Sequence, residues 1–568
     1  MNVANEERLT VHMIIYNVIL LPCMYCADSY IFMALFPFMY VCMYVCVCVC
    51  VCVCVVCCDS ALANGGALSL EETGNVTFFE AKFTNNSAGV NGGAVSVLVA
   101  EGVSGFVDVS GSLFDNNTAT PLMGGDDDVN GGALFVEDAT NVTLAASSFR
   151  SNFALKDGGG VDIKDVLGDV NVISCFFDNN AVADEGGALK IVAEDTNTNV
   201  SVTFSTFVNN TSVEEGGAII IEDAGSATFR GSDFRLNKCE KDGGAITFDA
   251  IERTVVIDSC TFTNNTSMDQ GGAIDYDASS GSPNAQLIVC GSRFANNTSL
   301  DNDAGALYVK DADFATVTNS EFVGNVCFDD GAGLVFAGVG ARAVVSNCNF
   351  TANIAGASGG GLYTEDSVGK SLEVLGCNFI GNSISDPPTG TPNDFDGVPG
   401  DGGGAFITGG FGGADADLVI SGCTFQNNTV PDDGGGLFIV AVSNGTDPNP
   451  GNITLRANIF EDNVAGMYFS HLSVSVSLSR ARARVCVCVL SLCVCVLVHS
   501  SACVQIHTRT QTAGGGGGGL SFGRQKREPG LCLTGFALSL CRTHTSLIAY
   551  RGPRWSTRCR QLARIFRS

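Results

Sequence analysis

The chain has 568 residues, with 30 Lys and Arg against 59 Asp and Glu, a formal net charge of −29, 69 Gly, 26 Cys and 5 His. Glycine follows no three-residue period and apolar residues make up 46% of the chain, which excludes collagen and an acidic disordered protein. The acidity excludes a nucleic-acid partner, because phosphate binding needs concentrated Lys and Arg. Three unlike segments lie behind these averages: residues 1–58 carry a net charge of −2, residues 59–466 carry −40 and residues 467–568 carry +13, with 10, 8 and 8 of the cysteines.

Residues 1–58 are an apolar Val-Cys flank of low complexity, reading VCVCVCVCVCV from Val45 to Val55. Such an alternation is what a GTGTGT repeat yields when translated, and we read it as microsatellite-like sequence. Two other readings exist. Residues 30–58 are long and uncharged enough to span a bilayer, and would then anchor the protein in a membrane; a tract of thiols can also hold metal. The first 28 residues resemble a signal peptide only weakly, because Glu6 and Glu7 precede the apolar run.

Residues 59–466 carry two alternating motifs, each present thirteen times. One is G-G-[AG]-aliphatic and looser variants, from GGAL at 65–68 through GGAI at 271–274 and GGAF at 403–406 to GGGL at 434–437. The other is F-x-x-N, from Phe83 and Asn86 to Phe460 and Asn463. A spacing of 27 or 28 residues recurs, and longer spacings place insertions in loops, chiefly 118–130 and 383–401. Before each Phe the apolar residues alternate at period two, as Val255 and Ile257 do before Phe262. After GGA, Leu134 and Val136 are expected to face one way, Phe135 and Glu137 the other. Period two predicts strands.

One such unit cannot close its own core, so successive units must stack. A fixed period sets like residues above like, which an all-β, right-handed parallel β-helix accomplishes with one repeat per coil and about 4.8 Å of rise. The expectation is a rod of about 13 coils, roughly 60 Å long. Phe83 to Phe460 should form an interior aromatic column, and Leu68, Val95, Leu134 and their successors an aliphatic one. A row of small residues two before each Phe takes in Cys175, Cys260, Cys348, Cys377 and Cys423. Bridges between Cys348 and Cys377 or between Cys377 and Cys423 are open at this point, beside stacked free thiols. The Asn of F-x-x-N is expected at a left-handed bend, its amide joined in a ladder.

Residues 467–568 are a low-complexity basic flank, with SLSRARAR, VCVCVLSLCVCVLV and six consecutive Gly before an Arg-rich end. We expect both flanks to be non-globular, disordered or spurious. The repeat breaks at the same phase on both sides, at Asp59 and after Gly466, as it would if non-coding sequence had been translated at each end.

The paired GGA[ILV] and F-x-x-N motifs over residues 59–466 resemble the repeats of the chlamydial polymorphic outer membrane proteins and related right-handed β-helix proteins. That resemblance implies a secreted, adhesive surface role. In that family a membrane β-barrel follows the repeats; residues 467–568 show no series of alternating amphipathic strands, so outer-membrane anchoring is not carried over.

Candidate chemistry is confined to carboxylates. No His and no Trp occur between Asp59 and Gly466, which removes Ser-His-Asp and Cys-His catalysis, His-based zinc sites, the G-H-G element of polygalacturonases and the commonest sugar-stacking side chain. After GGA, the outward positions include Glu222, Asp249 and Asp277 on successive coils, with Asp275 beside Asp277. Such rows match the spacing of glycosidase acids, with Asp249 and Asp277 as candidates. They match equally the oxygen ligands of Ca²⁺, with Glu222, Asp249, Asp275 and Asp277 as candidates, and a solvated acidic face. A second acidic row precedes the glycines at Asp157, Glu185, Glu215, Asp242, Asp303, Asp330, Asp401 and Asp433. Phe135, Tyr308, Tyr363 and Phe438 are expected as isolated surface aromatics. Of fifteen N-x-[ST] sequons, Asn75, Asn116, Asn141, Asn199, Asn210, Asn265, Asn297, Asn427 and Asn452 are the candidate glycosylation sites.

The sequence therefore points to an extracellular or cell-surface binding or adhesive rod, without enzymatic activity and with glycans or cell-surface proteins as partners. No cofactor is expected beyond Ca²⁺ on the acidic rows. A polysaccharide lyase or glycoside hydrolase is the alternative, and a membrane-anchored protein a further one if residues 30–58 are genuine.

Overall fold

The computed structural model describes residues 49–52, 55–57, 60–61 and 63–465, apart from 101, 122–128, 194–196, 279–283, 366–370, 386–399, 410–416, 432 and 442–451. It also describes 482–489, 492–499 and 538–542 in the C-terminal flank. Each repeat makes one coil, typified by residues 246–274. A four-residue strand (Ile246–Asp249) follows GGA, a five-residue strand (Thr254–Asp258) comes next, and a three-residue strand (Thr261–Thr263) carries the Phe. A further two-residue strand (Thr266–Ser267) leads to the next acidic Gly-Gly turn. Stacked coil on coil, these give a GGA sheet of 13 strands, a middle sheet of 14 and a Phe sheet of 14. All pairings within the three sheets are parallel and place equivalent residues opposite one another, as Ile246 with Ile274 and Phe262 with Phe294. The chain is thus an all-β parallel β-solenoid.

The interior is made of columns. Thirteen phenylalanines from Phe83 to Phe460 stack with ring centroids 4.7–4.9 Å apart, a spacing set by the distance between paired strands. Alternation does the rest: in Thr254–Asp258, Val255 and Ile257 are buried and their neighbours are not.

The Asn of F-x-x-N is the polar counterpart. Asn265 accepts at Oδ1 from both the backbone N–H and the side-chain amide of Asn237, each at 3.0 Å. Its own Nδ2 donates to Asn297 Oδ1 at 3.0 Å and to the carbonyl of Phe234 at 3.1 Å. Both lone pairs and both N–H groups are used, so a buried amide incurs no desolvation penalty. The left-handed residue is not this Asn but the one before it: Asn209, Leu236, Asn264 and Asn296 have φ of 54–57°. The bend belongs to one residue and the ladder to the next. The small row makes a parallel ladder, as where the Ser205 N–H donates to Ser232 Oγ at 3.2 Å. The cysteines of residues 59–466 are free thiols; the N–H of Cys348 donates to Cys377 Sγ at 3.5 Å and that of Cys377 to Cys423 Sγ at 3.4 Å.

The two motif glycines have different duties. Gly243 has φ of +67°, and a Cβ there would lie 2.3 Å from the Thr247 hydroxyl four residues on; a Cβ on Gly244 would lie 2.2 Å from the carbonyl oxygen of Gly272 in the next coil. The first lets the turn fold back over its own strand, the second lets coils approach. At 402–406 the motif is read one residue late in the sequence: Ala405, not Phe406, takes the aliphatic position opposite Leu362 and Leu437, and Phe406 lies opposite Tyr363 and Phe438.

The flanks depart from the expected boundaries. Val49–Cys52 pairs parallel with Val76–Phe79, and Val55–Cys57 with Lys82–Thr84, placing Val56 opposite Phe83. Alternating β-branched residues suit a strand whatever their origin, so the stacked sheets extend past Asp59. In the C-terminal flank Arg482–Val489, Leu492–His499 and Leu538–Arg542 form an antiparallel sheet. The rest of both flanks, including residues 30–48 of the candidate membrane segment, lies outside the described residues. Among the described residues no helix is long and apolar enough to cross a membrane.

Substitution in one coil tests this packing. Phe262→Ala is expected to cost about 3–5 kcal/mol through the cavity it leaves, and Asn265→Ala about 1–3 kcal/mol through the unpaired backbone groups it strands. Tyr276, fully buried where Phe248 and Val309 are its neighbours, has no partner for its hydroxyl, so Tyr276→Phe is expected to be neutral or stabilising. Urea melts followed by circular dichroism rank the three; a Tyr276→Phe midpoint well below the parent's would contradict the assignment.

Candidate functional site

The sequence sets charged candidates in rows on the outer side of the GGA sheet and in the turns before it, and the Gly-Gly turn decides which of the sheet residues water reaches. Because each turn folds back over its strand, the first outward position is covered: Phe135, Asp162, Lys190, Thr247, Asp275 and Tyr308 are all less than a tenth exposed. Phe135 and Tyr308 are therefore packing residues and not surface platforms. Asp275 does not join Asp277 at the surface; it is enclosed, and burial, then Asp242 and Asp277, push its carboxyl well above the usual range.

The covering loosens over the last three coils. There Tyr363, Phe406 and Phe438 are half-buried and stack with centroids 5.2 Å apart. Phe406 is the member that the motif alignment missed, and its absence made the others look scattered.

Glu222, Asp249 and Asp277 do stand in register, each opposite the next, with Lys310 continuing the row. The row carries its own counter-charges. Lys310 Nζ lies 2.5 Å from Asp277 Oδ2, and Lys190 Nζ lies 3.3 Å from Glu222 Oε1. Of the three carboxylates only Asp249 is exposed; partial burial, then Asp277 and Asp223, raise its carboxyl. A lysine at either end makes this row a poor Ca²⁺ cage, since ammonium groups occupy the oxygens a cation would use.

Lys190 is a residue that composition could not single out. It is buried in the covered row, with Glu185 Oε2 at 2.6 Å and Asp157 Oδ1 at 3.3 Å besides Glu222. Burial alone would lower its pKa, but Glu222, Asp157 and Glu185 together hold it above the ordinary lysine range. Asp162, on the strand opposite Lys190, is 2% exposed with Oδ1 unpartnered, and burial followed by Asp157 raises it far above a normal carboxyl. The signal available in the sequence was a Lys directly after a GGA-aliphatic unit.

In the turn row, carboxylates converge at Asp184, Glu185 and Glu214, and again at Asp303, Asp329 and Asp330. The first group meets Lys190 and Lys241. Burial, then Asp242, lifts Glu215 to about 7, and burial opposed by Lys190 leaves Glu222 at about 7.

Residues 259–275, which span the F-T-N-N bend of one coil and the G-G-A-I of the next, match the family model of the Chlamydia polymorphic membrane protein repeat. No curated protein and no solved structure matches the chain. The protein is thus a β-solenoid carrying a repeat of that kind.

The sequons divide by the same geometry. Asn116, Asn141, Asn199 and Asn427 are exposed and Asn75 is half-buried, while Asn452 has its side chain outside the described residues. Asn210, Asn265 and Asn297 are fully buried ladder residues whose amides are committed. No glycan fits there. In each N-N-T-S bend the accessible acceptor is the preceding residue, Asn209, Asn264 or Asn296.

Two outcomes are expected. A carboxyl whose folded pKa is raised contributes stability that is complete below its unfolded value, about 4.3, and lost as pH rises through the folded one. The melting midpoint should thus fall between about pH 5 and about pH 8, and Glu215→Gln should flatten the slope and raise the midpoint at the alkaline end. A midpoint rising over that range would contradict the buried acidic turns. If the chain is made in a glycosylating secretory host, peptide mapping by mass spectrometry should find glycan on Asn209, Asn264 and Asn296, and none on Asn210, Asn265 and Asn297.

Proposed function

We propose that this solenoid is a non-enzymatic, extracellular or cell-surface protein whose long side is a binding or adhesive surface for glycans or cell-surface proteins. The observation that carries the reading is the polymorphic membrane protein repeat at 259–275, in a fold that presents the same exposed position on each successive coil. The paired acids weigh against hydrolysis: Asp277 is tied to Lys310, so Asp249 has no free carboxylate partner held opposite it as general acid–base chemistry on a sugar requires. For glycans, the half-buried stack of Tyr363, Phe406 and Phe438 supplies a contiguous apolar strip of ring edges in a chain whose coils lack Trp.

The test uses the full chain on a glycan array and on intact cells, beside an assay for reducing ends and unsaturated products from acidic polysaccharides. Binding without turnover is expected, and Phe406→Ala with Phe438→Ala should weaken glycan binding roughly tenfold. Product release abolished by Asp249→Asn or Asp277→Asn would replace this reading with a polysaccharide-active enzyme.

A further inference from the structure

The carboxylates of Asp303, Asp329 and Asp330 converge in adjacent turns with no basic side chain paired to them among the described residues. One oxygen from each lies within 4.8 Å of the other two. Stacking produces the approach: Asp303 and Asp330 hold the same position in adjacent coils, and the Asp330 N–H donates to Asp303 Oδ1 at 2.8 Å. Asp303 is buried. Asp330 is partly exposed as a residue, while its Oδ1 is enclosed.

Ion pairs relieve such crowding at several other places. Glu185 and Glu222 have Lys190, Glu214 has Lys241, Asp277 has Lys310 and Asp258 has Arg230. Among the described residues no Lys or Arg pairs with Asp303, Asp329 or Asp330. A second observation is independent of the clustering. Asp330 accepts hydrogen bonds from Tyr363 and Ser358, yet its Oδ1 is sealed from water and accepts none. An enclosed carboxylate oxygen without a donor, beside two further carboxylates, is costly unless a positive charge stands among them.

We propose that Asp303, Asp329 and Asp330 form a divalent-cation site that takes Ca²⁺. The donors are hard oxygens only, which favours Ca²⁺ over the metals that seek nitrogen or sulfur. The nearest sulfur, Cys327 Sγ, donates to the backbone carbonyl of Asp330 at 3.2 Å and is not a ligand. The site is displaced from the row of Glu222, Asp249 and Asp277 that the sequence indicated, whose two outer members are paired to Lys190 and Lys310. It does not depend on the adhesive reading above.

Tyr308 and Tyr363 give the test its readout. Both sit at the cluster, Tyr363 bonded to Asp330 and Tyr308 packed with Tyr363 beside Asp303, so a Tb³⁺ ion bound there would be excited through their rings. The full chain with Tb³⁺, excited in the tyrosine band, is expected to give terbium emission that millimolar Ca²⁺ displaces and matched Na⁺ does not. Asp303→Asn with Asp330→Asn should fold, because it removes repulsion, and should lose that emission. Tyr363→Phe should dim the emission while leaving the Ca²⁺-dependent rise in melting midpoint. If the double variant does not fold, Asp329→Asn alone serves, with at least about tenfold weaker Ca²⁺ competition expected from the lost ligand charge. Absence of Ca²⁺-displaceable emission from the parent chain, or undiminished emission from the folded variants, would overturn the site.

Discussion

Every coil of this molecule is held by the requirement that each buried group find its partner in the same place one coil away. The Asn ladder states this most strictly. Asn265 is satisfied only because Asn237, Asn297 and the Phe234 carbonyl stand where they do, and the same holds along the column. A solenoid built this way cannot shift register locally, since a slip by one residue would turn the apolar set outward and strand every amide at once. The stacked phenyl rings tolerate neighbours of similar shape; the amides do not. Uniqueness of the fold therefore rests on the polar column, and apolar burial supplies most of its stability.

The same rule creates the electrostatic problem of the outer face. In-register stacking places like residues over like, and an acidic position repeated from coil to coil becomes a column of mutual repulsion. The chain resolves this with single interruptions: Lys190 among Asp157, Glu185 and Glu222, Lys310 after Asp277, and cross-coil pairs such as Arg342 with Glu373. The surface pairs are worth little individually. Their effect is to confine the unrelieved charge to a few turns, and those turns are where a cation is best placed to act.

The columns, the parallel register and the identity of the Phe and Asn positions were legible because the repeat is strict and the periods are short. What was not legible depended on the turn. Nothing in G-G-A-aliphatic says that its first glycine rides on the residue four positions later, so Phe135, Tyr308 and Asp275 read as exposed by alternation alone. The N-N-T-S bends misled for a related reason: two adjacent sequons look equivalent, and only the backbone shows that Asn264 holds the bend while Asn265 is interior. At 402–406 a run of three glycines hid a one-residue offset, and with it Phe406. In the flanks, alternation of Val and Cys carries strand propensity regardless of how the sequence arose.

One property of the Asn column bears on the molecule as an object. Each amide accepts from the preceding coil and donates to the following one, so the bond dipoles all point the same way and reinforce one another along the column. The column is consequently polar: acceptors face the direction of its first coil and donors that of its last. The two ends are chemically unlike, and a further coil, or a second molecule, can extend the column only head to tail.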